Sequence, residues 1–369
     1  MTARPEPAKH SAEFTDPGRP LLPPTVLILG ANGRLGAAAA QAFDTAGWRV
    51  LAQVRRERDP ALPAGAQLLH TSLSDLTLLA AQAHGAQVVL HALNPRYDRW
   101  QQEALPLMNA GIALAERLKA RLLLPGNVYA WGESMPARLS PATPMQPSTP
   151  HGRVRLEMEQ AMARRCERGT LRAAVLTAGD FFGAGRGTWF DQAIVASLNK
   201  GRLAYPGPLD LPHAWAYLPD LARAFVALAQ APSGAPFERF MFGGHTLTGR
   251  ELLDATERVA QSLGLVPAAG LRRRDMPWGL IRAVGLVNPT WRALAQMSYL
   301  WRVPHALDDS TLRERVGVLP ATPLDAALRA TLRALSSTTP LPGAARGARP
   351  GDRNADGADA ALDRNVATH

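Results

Sequence analysis

The sequence predicts an α/β protein, a doubly wound parallel sheet followed by a smaller, mainly helical C-terminal domain. Three observations predict this fold class. A glycine-rich turn stands between an apolar segment and a helix-forming segment within residues 25–43. Strand-like apolar runs then alternate with amphipathic segments as far as residue 183. Beyond that point the alternation stops, and helical stretches with proline- and glycine-rich connections continue to residue 335.

The glycine-rich turn has the form G-x-x-G-x-x-G, with an apolar, β-branched run at 25–29 before it and a helix-forming run at 37–43 after it. Gly30 permits a tight turn, Gly33 lets backbone approach a pyrophosphate, and Gly36 lets the helix pack close to the strand. The first N–H groups of the helix offer an anion site. Between a strand and a helix, this string indicates dinucleotide binding; the alternative is a tight turn in another α/β fold.

The other elements of the sheet are predicted from short apolar runs and from apolar residues at helical spacing. Strands two to six are expected at 48–55, 67–70, 87–93, 122–124 and 172–177, the fifth breaking at 125–127. Helices are expected at 76–84, 100–119 and 151–168, with a Pro- and Ser-rich loop at 134–150. A ligand of such a sheet lies across the carboxyl ends of its strands.

The chain divides into four parts by composition and rhythm. Residues 1–24 and 336–369 lack core-forming periodicity and are expected to be a disordered arm and a disordered tail. Residues 25–183 form the expected dinucleotide-binding domain. Residues 184–335 form a substrate or lid domain, part of which, near 213–230, returns to the main body. Its helices are expected at 193–199, 221–230 and 249–263.

Composition excludes several classes of site. Cys166 is the only cysteine, which excludes an intramolecular disulfide and a CxxC site, and the nine histidines show no paired metal spacing. No metal site is therefore expected. The sequence has no apolar signal region and no apolar run of membrane-spanning length, so we expect a cytoplasmic protein without membrane contact.

The net charge of +10 lies between the two end segments. Residues 1–24 carry three basic and three acidic residues, and residues 336–369 carry four arginines and four aspartates, so both are neutral. A phosphate-rich cofactor or an acidic substrate suits the excess, as does nonspecific attraction to nucleic acid. No nucleic-acid-binding module is present in the sequence, so nucleic acid is not expected as the partner.

Two arginines favour NADP over NAD. In NAD-preferring folds an acidic residue about 20 positions past the glycines holds the ribose 2′-OH, but Arg55 and Arg56 stand there and the first acid is Glu57. Arg34 is a cation in the first turn of a helix, where the dipole disfavours it unless an anion is bound. We therefore expect NADP, with NAD as the second choice. The alternative is two solvated arginines at a sheet edge.

Five segments in order resemble the extended short-chain dehydrogenase/reductase superfamily, the group of nucleoside-diphosphate-sugar epimerases and dehydratases. They are residues 30–36, 74–76, 127–129, 178–183 and 217–222. The resemblance implies a Rossmann fold, a bound nicotinamide dinucleotide and hydride transfer on a carbonyl or hydroxyl substrate. It also implies that these residues contact the cofactor: Gly30, Asn32, Gly33, Arg34, Leu35, Gly36, Arg55, Asp75, Leu76, Ala92, Leu93, Asn127, Arg155, Ala178 and Gly179.

The catalytic positions of that superfamily are substituted. The usual Y-x-x-x-K pair, often followed by a glutamate four residues later, corresponds here to His151, Arg155 and Glu159. The upstream serine falls on Pro125. The chain thus resembles an atypical member, and the resemblance implies catalytic roles for His151 and Arg155, with Tyr129 as a second candidate acid.

These substitutions allow a particular division of labour. An imidazole titrates near neutral pH and can carry a proton, whereas a guanidinium keeps a fixed charge and can only position a ribose. In the alternative interpretation, His151 merely starts a helix, Arg155 is solvated and Tyr129 packs at the cleft wall. Trp189, His213 and Trp215 are candidates to line a substrate pocket, or else they form core between domains.

The sequence therefore predicts an NADP-dependent oxidoreductase-like protein acting on a small-molecule substrate. A sugar nucleotide is the default of the superfamily, and aldehydes, quinones and keto intermediates are open. The alternative is a noncatalytic NADP-sensing regulator, which the loss of the usual tyrosine and lysine favours. A homodimer is also compatible with the sequence.

Overall fold

The chain is organised around a seven-stranded parallel sheet. The computed structural model describes residues 23–337, except residues 56, 58, 60, 184 and 320 and the side chain of Tyr97. The predicted arm and tail lie outside these residues, apart from two residues at the inner end of each.

The strands alternate with helices through the first half of the chain, as predicted. The strands are β1 (Thr25–Leu29), β2 (Arg49–Gln53), β3 (Gln67–Leu69), β4 (Val88–His91), β5 (Arg121–Asn127), β6 (Arg138–Leu139), β7 (Arg172–Ala178), β8 (Asp180–Phe182), β9 (Arg202–Tyr205), β10 (Pro212–Tyr217), β11 (Phe237–Met241), β12 (His245–Thr248), β13 (Arg272–Asp275) and β14 (Ala306–Leu307). The large sheet has the order β11-β7-β5-β4-β1-β2-β3.

Helices cover both faces of this sheet. They are α1 (Arg34–Thr45), α2 (Leu76–Gln82), α3 (Trp100–Leu118), α4 (Pro150–Glu167), α5 (Leu218–Gln230), α6 (Gly249–Ser262), α7 (Trp278–Gly285), α8 (Pro289–Gln296), α9 (Ser310–Val316) and α10 (Leu324–Ser337). Short π or 3-10 turns occupy Tyr97–Arg99, Val128–Trp131, Phe190–Ile194, Leu198–Lys200 and Met297–Trp301.

The pleat of β1 shows how the two layers form. Val26 and Ile28 join the core beneath α1 and α5, and Leu27 and Leu29 join the core beneath α2, α3 and α4. Both faces of each central strand are thus buried, which is why these strands are continuous apolar runs in the sequence. The predicted α/β fold with a doubly wound parallel sheet is confirmed, and the C-terminal region contains the expected helices.

Two local predictions, one in each half of the chain, are wrong. Strand β5 does not break at residue 125, because Pro125, Gly126 and Asn127 remain in register with Leu176, Thr177 and Ala178 of β7. The helix expected at 193–199 is instead a π turn at Phe190–Ile194 and a 3-10 turn at Leu198–Lys200.

The sequence also missed the seventh strand. Strand β11 closes the β7 edge of the large sheet, pairing Phe237–Met241 with residues 173–177. Its residues, FERFM, carry two charges in an otherwise apolar segment, and they follow a long excursion from the sheet. Because of these two features, local sequence pattern does not predict that this segment is a strand paired in parallel with β7.

The C-terminal half builds one wall above the carboxyl ends of the sheet. Strands β8, β10 and β12 form a small three-stranded sheet, with β8 and β10 parallel. Its core contains Phe182, Trp215 and Trp301, with α6 and α10 packed around them. Helix α5 leaves this wall and packs against α1 of the large sheet. The sheet of β8, β10 and β12 with its covering helices, here called the small wall, therefore faces the place where a ligand of a doubly wound sheet lies.

Candidate functional site

The glycine-rich turn joins β1 to α1 in a conformation that requires glycine. Gly30 has a φ of 77°, a left-handed conformation that L side chains avoid, and its carbonyl accepts a hydrogen bond from Gly33 N at 2.9 Å. A Cβ on Gly36 would overlap the carbonyl oxygen of Gly30. The first and third glycines are therefore needed for the turn and for close packing of the helix.

Gly33 leaves the start of α1 open to a ligand. It is exposed and stands at the N-cap position, where no side chain caps the helix and no acidic residue occupies the first turn. The first N–H groups of α1 thus keep their capacity to bind an anion. The chain places this open helix end at the carboxyl edge of the sheet, and the arrangement fits the pyrophosphate of a dinucleotide.

Asn32 fastens the loop after β2 to the glycine turn. Its amide nitrogen donates to the Glu57 carbonyl at 2.8 Å, and its side-chain oxygen accepts from Asp59 N at 3.2 Å. Arg55 is exposed on the same loop, whereas Arg56 lies outside the described residues. The sequence-predicted cation therefore stands beside the turn, at the strand end where an adenosine ribose binds in this kind of sheet.

Arg34 has a different environment from Arg55. Its Nη1 donates to the Arg186 carbonyl at 2.8 Å, and burial lowers the pKa of its guanidinium while nearby Asp191 raises it. Its side chain also lies 3.1 Å from the position of a Cβ on Gly185. Arg34 thus connects the start of α1 to the loop at 185–187, in addition to the phosphate role predicted for it.

Residues after β3 and β4 lie at the same carboxyl edge of the parallel sheet. The Asp75 carboxylate accepts from Leu78 N at 3.0 Å and caps α2, which begins at Leu76. A Cβ on Gly30 would lie 3.2 Å from the Ala92 carbonyl and 3.0 Å from a methyl of Leu93. Most of the predicted cofactor residues therefore lie at strand ends around one turn. The remaining predicted residue of the turn, Leu35, is buried in the core beneath α1.

The ends of β5 and β7 lie in register beside each other. Asn127 pairs with Ala178, and its side-chain oxygen accepts from Tyr129 N at 3.2 Å. Gly179 follows directly and lies so close to the Ala214 carbonyl of β10 that a Cβ there would overlap it. The small wall therefore crosses immediately over the end of β7.

The three predicted catalytic residues meet around one indole, that of Trp100. The His151 ring stacks on it, with centroids 5.4 Å apart and planes inclined by 28°. The Arg155 guanidinium lies 5.0 Å from the ring centroid, and the Tyr129 ring lies 6.4 Å away. Trp100 itself donates from Nε1 to Asn94 at 2.9 Å. The sequence alone gave Trp100 no role other than starting a helix.

This Trp100 cluster is largely closed. Trp100 is 3% exposed, His151 2% and Arg155 8%, whereas Tyr129 is half-buried. The Arg155 Nη1 donates to the Pro125 carbonyl at 3.0 Å. The alternative in which Arg155 is a solvated surface residue is therefore excluded, and Tyr129 is the member of the cluster with the most exposed side chain.

An ion pair between Glu159 and Arg239 lies near the cluster. Glu159 is 2% exposed, and its Oε2 accepts from Arg239 Nε at 2.8 Å. Burial raises the pKa of the Glu159 carboxyl, and the charges of Arg239 and Arg155 oppose that rise. Arg239 belongs to β11, and because the sequence analysis did not predict that strand, it did not predict the contact of Arg239 with Glu159. The only signal for Arg239 in the sequence was its place in the largely apolar segment FERFM.

A further buried histidine, His91, ends β4. Its Nε2 lies 3.1 Å from the Leu107 carbonyl, which fixes a proton on that nitrogen. Burial lowers the pKa of this imidazole, and the Arg155 charge lowers it further. His91 is therefore neutral at physiological pH and packs tightly against Gly111 of α3.

Aromatic residues line the wall formed by the C-terminal half. Trp189 lies 5.4 Å from Trp301 and 6.2 Å from Trp278, and Trp215 is 1% exposed. A cavity of about 280 Å³ next to them is lined by residues that include Tyr205, Met276, Trp278 and Arg302. The predicted pocket residues Trp189, His213 and Trp215 do not line this cavity: Trp189 contacts Trp278, which does, and the other two pack against Trp301.

The described residues contain no group of three or more His, Cys, Asp or Glu side chains placed to hold a metal ion. Within the same part of the chain, no helix has the length and apolar character needed to cross a membrane.

Solved structures of similar fold include three epimerases. UDP-glucose 4-epimerase from Thermotoga maritima, solved with UDP-glucose, is 15% identical, with a TM-score of 0.66 over 85% of this chain and 99% of that one. UDP-N-acetylglucosamine 4-epimerase from Methanobrevibacter ruminantium, solved with UDP-N-acetylmuramic acid, is 15% identical, with a TM-score of 0.66 over 86% and 100%. UDP-glucuronic acid 4-epimerase from Bacillus cereus, solved with NAD, is 15% identical, with a TM-score of 0.66 over 85% of this chain and 99% of that one.

These likenesses establish the fold. No curated relative matches the chain. The NAD dependent epimerase/dehydratase family, however, matches residues 26–243, more than half of the sequence. The matched range contains the glycine turn, the Trp100 cluster and strands β8 and β10 of the small sheet. The chain therefore belongs to the NAD dependent epimerase/dehydratase family of enzymes.

Proposed function

We propose that this protein is an NADP-dependent oxidoreductase that acts on a carbonyl or hydroxyl group of a small molecule. The observation that carries the proposal is the uncapped start of α1 at exposed Gly33, with Arg55 on the neighbouring loop. An open helix end suits the pyrophosphate, and a free guanidinium suits the 2′-phosphate that distinguishes NADP from NAD. When bound, the cofactor would supply or accept the hydride.

The chain's own part in the reaction is to orient and to move a proton. We propose that Tyr129 and His151 supply the proton-transfer groups and that Arg155 holds the nicotinamide ribose. Their packing around Trp100 supports this, because a stacked ring and a guanidinium held by the Pro125 carbonyl keep fixed positions. Arg155 cannot release its proton, so it serves as a fixed charge only.

The substrate class is proposed at a coarse level. The neighbours from T. maritima and M. ruminantium were solved with uridine diphosphate sugars, which makes a sugar nucleotide the first class to test. The aromatic and apolar cavity beside Tyr205 and Trp278 suits a planar or apolar carbonyl compound as well. Association of two copies is a separate proposal, for which analytical ultracentrifugation is the test.

The proposal is tested by NADPH consumption in the presence of UDP-glucose, benzaldehyde and a naphthoquinone. We expect oxidation of NADPH that depends on one of these probes and disappears in Gly33→Val, the variant that fills the pyrophosphate site. Failure of NADPH to bind would refute the cofactor assignment. Tight binding of NADPH without turnover of any probe would instead favour a noncatalytic NADP-sensing regulator.

A further inference from the structure

Beyond the Trp100 cluster, the small wall holds a hydrogen-bonded pair formed by Asp180 and His213. Asp180 begins β8, two residues after the end of β7, and His213 lies on the adjacent strand β10. The His213 Nε2 is 2.8 Å from Asp180 Oδ2. The His213 side chain is 4% exposed and that of Asp180 is 16% exposed. The pair is therefore nearly buried, and the carboxylate is its more exposed member.

Aromatic neighbours fix the His213 ring. Trp301 lies parallel to it, with centroids 4.4 Å apart and planes inclined by 2°, and Trp215 lies 5.2 Å away. A ring held in this way cannot turn to exchange its nitrogens. Because a carboxylate accepts hydrogen bonds, Nε2 carries the proton that faces Asp180, and Nδ1 is the nitrogen that can gain or lose one.

The other titratable groups around the pair are held uncharged near neutral pH. Burial, together with the neighbouring His213, lowers the pKa of His305 to about 3. Burial and the Asp180 charge raise the pKa of the Tyr205 phenol. Burial lowers the pKa of His245, which packs against Phe182 of the same sheet, and Asp220 opposes that shift.

The pair also lies toward the nicotinamide end of the proposed cofactor. A dinucleotide whose pyrophosphate rests at the end of β1 extends toward β2 on one side and toward β4, β5 and β7 on the other. Arg55 marks the β2 side as the adenosine side. Asp180 follows β7 by two residues, and His213 precedes Ala214, whose carbonyl touches Gly179. The pair is thus on the side opposite to Arg55.

We infer that Asp180 and His213 form a second acid–base pair, whose proton content follows the charge of the bound nicotinamide. The inference rests on the proposed function, because it requires a dinucleotide in the cleft. His213 is imidazolium when the nicotinamide is reduced and uncharged, and neutral imidazole when it is oxidised and cationic. Asp180 is the positioning residue that holds the ring through Nε2.

The proton balance of a carbonyl reduction is then complete. When bound, the reduced cofactor would supply the hydride for the new C–H bond as the C=O π bond breaks, and a proton would be needed for the new O–H bond. The His213 Nδ1–H bond is one that can break, and it leaves a neutral ring whose Nε2–H still donates to Asp180. In the oxidising direction the alcohol proton passes to Nδ1 as the hydride leaves.

The test measures protons instead of turnover. Calorimetric titrations of the full chain with NADP⁺ and with NADPH, each in phosphate and in Tris buffer, give the protons exchanged on binding. Between about pH 6 and 7.5, where imidazoles titrate, we expect NADP⁺ binding to release more protons than NADPH binding. The difference approaches about one proton at its largest, since one imidazole changes its charge by one.

Five variants separate the pair from other sources of protons. His213→Phe keeps a ring against Trp301 and should abolish the difference, while Asp180→Asn should reduce it. His213→Gln serves if the phenylalanine variant does not fold. Asp210→Asn and His84→Phe, exposed controls that alter the same residue types, should leave the difference unchanged.

Two results have separate meanings. If the wild-type protein binds neither nucleotide, the proposed function is wrong, and the inference is overturned with it. If both nucleotides bind but proton release is equal, or if the difference persists in His213→Phe and His213→Gln, the inference is overturned and the proposed function stands.

Discussion

Two histidines in this protein lie against a tryptophan, and their charged neighbours are opposite. His151 stacks on Trp100, and the Arg155 guanidinium lies over the same indole. His213 stacks on Trp301, and its Nε2 is joined to the carboxylate of Asp180. The first ring shares its tryptophan with a fixed cation, and the second is held by an acceptor of protons.

This comparison shows that stacking holds a ring in place, whereas the charged neighbour of the ring decides whether the ring can exchange a proton. A guanidinium keeps its proton at all physiological pH values, so it can orient a ligand but cannot relay a proton. A carboxylate fixes one ring nitrogen and leaves the other for proton transfer. Under the proposed function, His151 would exchange its proton with the substrate, while His213 has Asp180 as a hydrogen-bond partner.

The largest expected effect comes from removing the dinucleotide that both histidines are proposed to serve. In Gly33→Val the side chain crowds the pyrophosphate, and we expect nucleotide binding to be abolished with the circular dichroism spectrum unchanged. Gly33 is exposed, and a Cβ there would lie 3.1 Å from the Gly30 carbonyl, so the fold accommodates the change with a small adjustment. Gly279→Val, at a site with open space around it, is the control. Undiminished affinity in Gly33→Val would mean that the phosphate site has been misplaced.

His151→Phe keeps the stack on Trp100 and removes the proton. We expect turnover to fall by roughly 10²–10⁴-fold, the usual worth of a positioned acid, with NADPH affinity near that of the wild type. In the reductive direction the donor must be protonated, so the wild-type rate should fall as rising pH deprotonates it. A pH–rate profile on the best probe substrate measures both effects, with exposed His84→Phe as the control. An unchanged rate would transfer the role to Tyr129.

Arg155→Ala sharpens the contrast between positioning and proton transfer. Loss of a charge-assisted hydrogen bond of about 1.5–3 kcal/mol predicts a tenfold or greater weakening of NADPH binding. Arg153→Ala, on an exposed position of the same helix, should leave affinity unchanged. Calorimetric titration compares the two. If Arg155→Ala bound NADPH normally but lost turnover, its role would lie in the chemical step instead of the ribose.

The smallest effect concerns stability near His213. The folded-state pKa of His305 is lowered to about 3, whereas an unfolded imidazole titrates near 6.5. Between these values the unfolded chain binds the extra proton, so acidification should destabilise the fold. The free energy of unfolding should fall by at most about 1.4 kcal/mol for each pH unit lost below pH 6.5 on account of this group.

His305→Gln should flatten that dependence, and exposed His84→Gln should not. Urea unfolding at pH 7, 6 and 5, followed by tryptophan fluorescence, gives the free energies. Parallel pH dependences of wild type and His305→Gln would show that His305 is not the group whose protonation destabilises the fold.

The glycine turn could be predicted from the sequence because its requirements are local. Gly30, Gly33 and Gly36 are demanded by backbone geometry within seven residues, and the strands around them are uninterrupted apolar runs. The hydrogen bonds of Asn32 are also local, because they reach only the loop that follows the next strand, β2. A motif of backbone constraints therefore reveals itself without knowledge of the rest of the fold.

The two histidine sites could not be predicted in the same way, because they are assembled from distant segments. Trp100 and His151 come from two helices whose relative register local patterns do not reveal. The Asp180 and His213 pair depends on the parallel register of β8 and β10, and Trp301 arrives from near the end of the folded chain. Arg239 was hidden with the seventh strand. Side-chain stacking across such separations follows from tertiary packing alone.

Calorimetric titration with NADP⁺ and NAD⁺ is the test of the proposed NADP dependence. Wild-type protein should bind NADP⁺ at least about tenfold more tightly, since a charge-assisted contact to the 2′-phosphate contributes about 1.5–3 kcal/mol. Because Arg34 also binds the Arg186 carbonyl, Arg55→Ala should remove most of the preference, and Arg34→Ala/Arg55→Ala should remove the rest. Equal affinities in the wild type, or a preference undiminished in the double variant, would contradict the account.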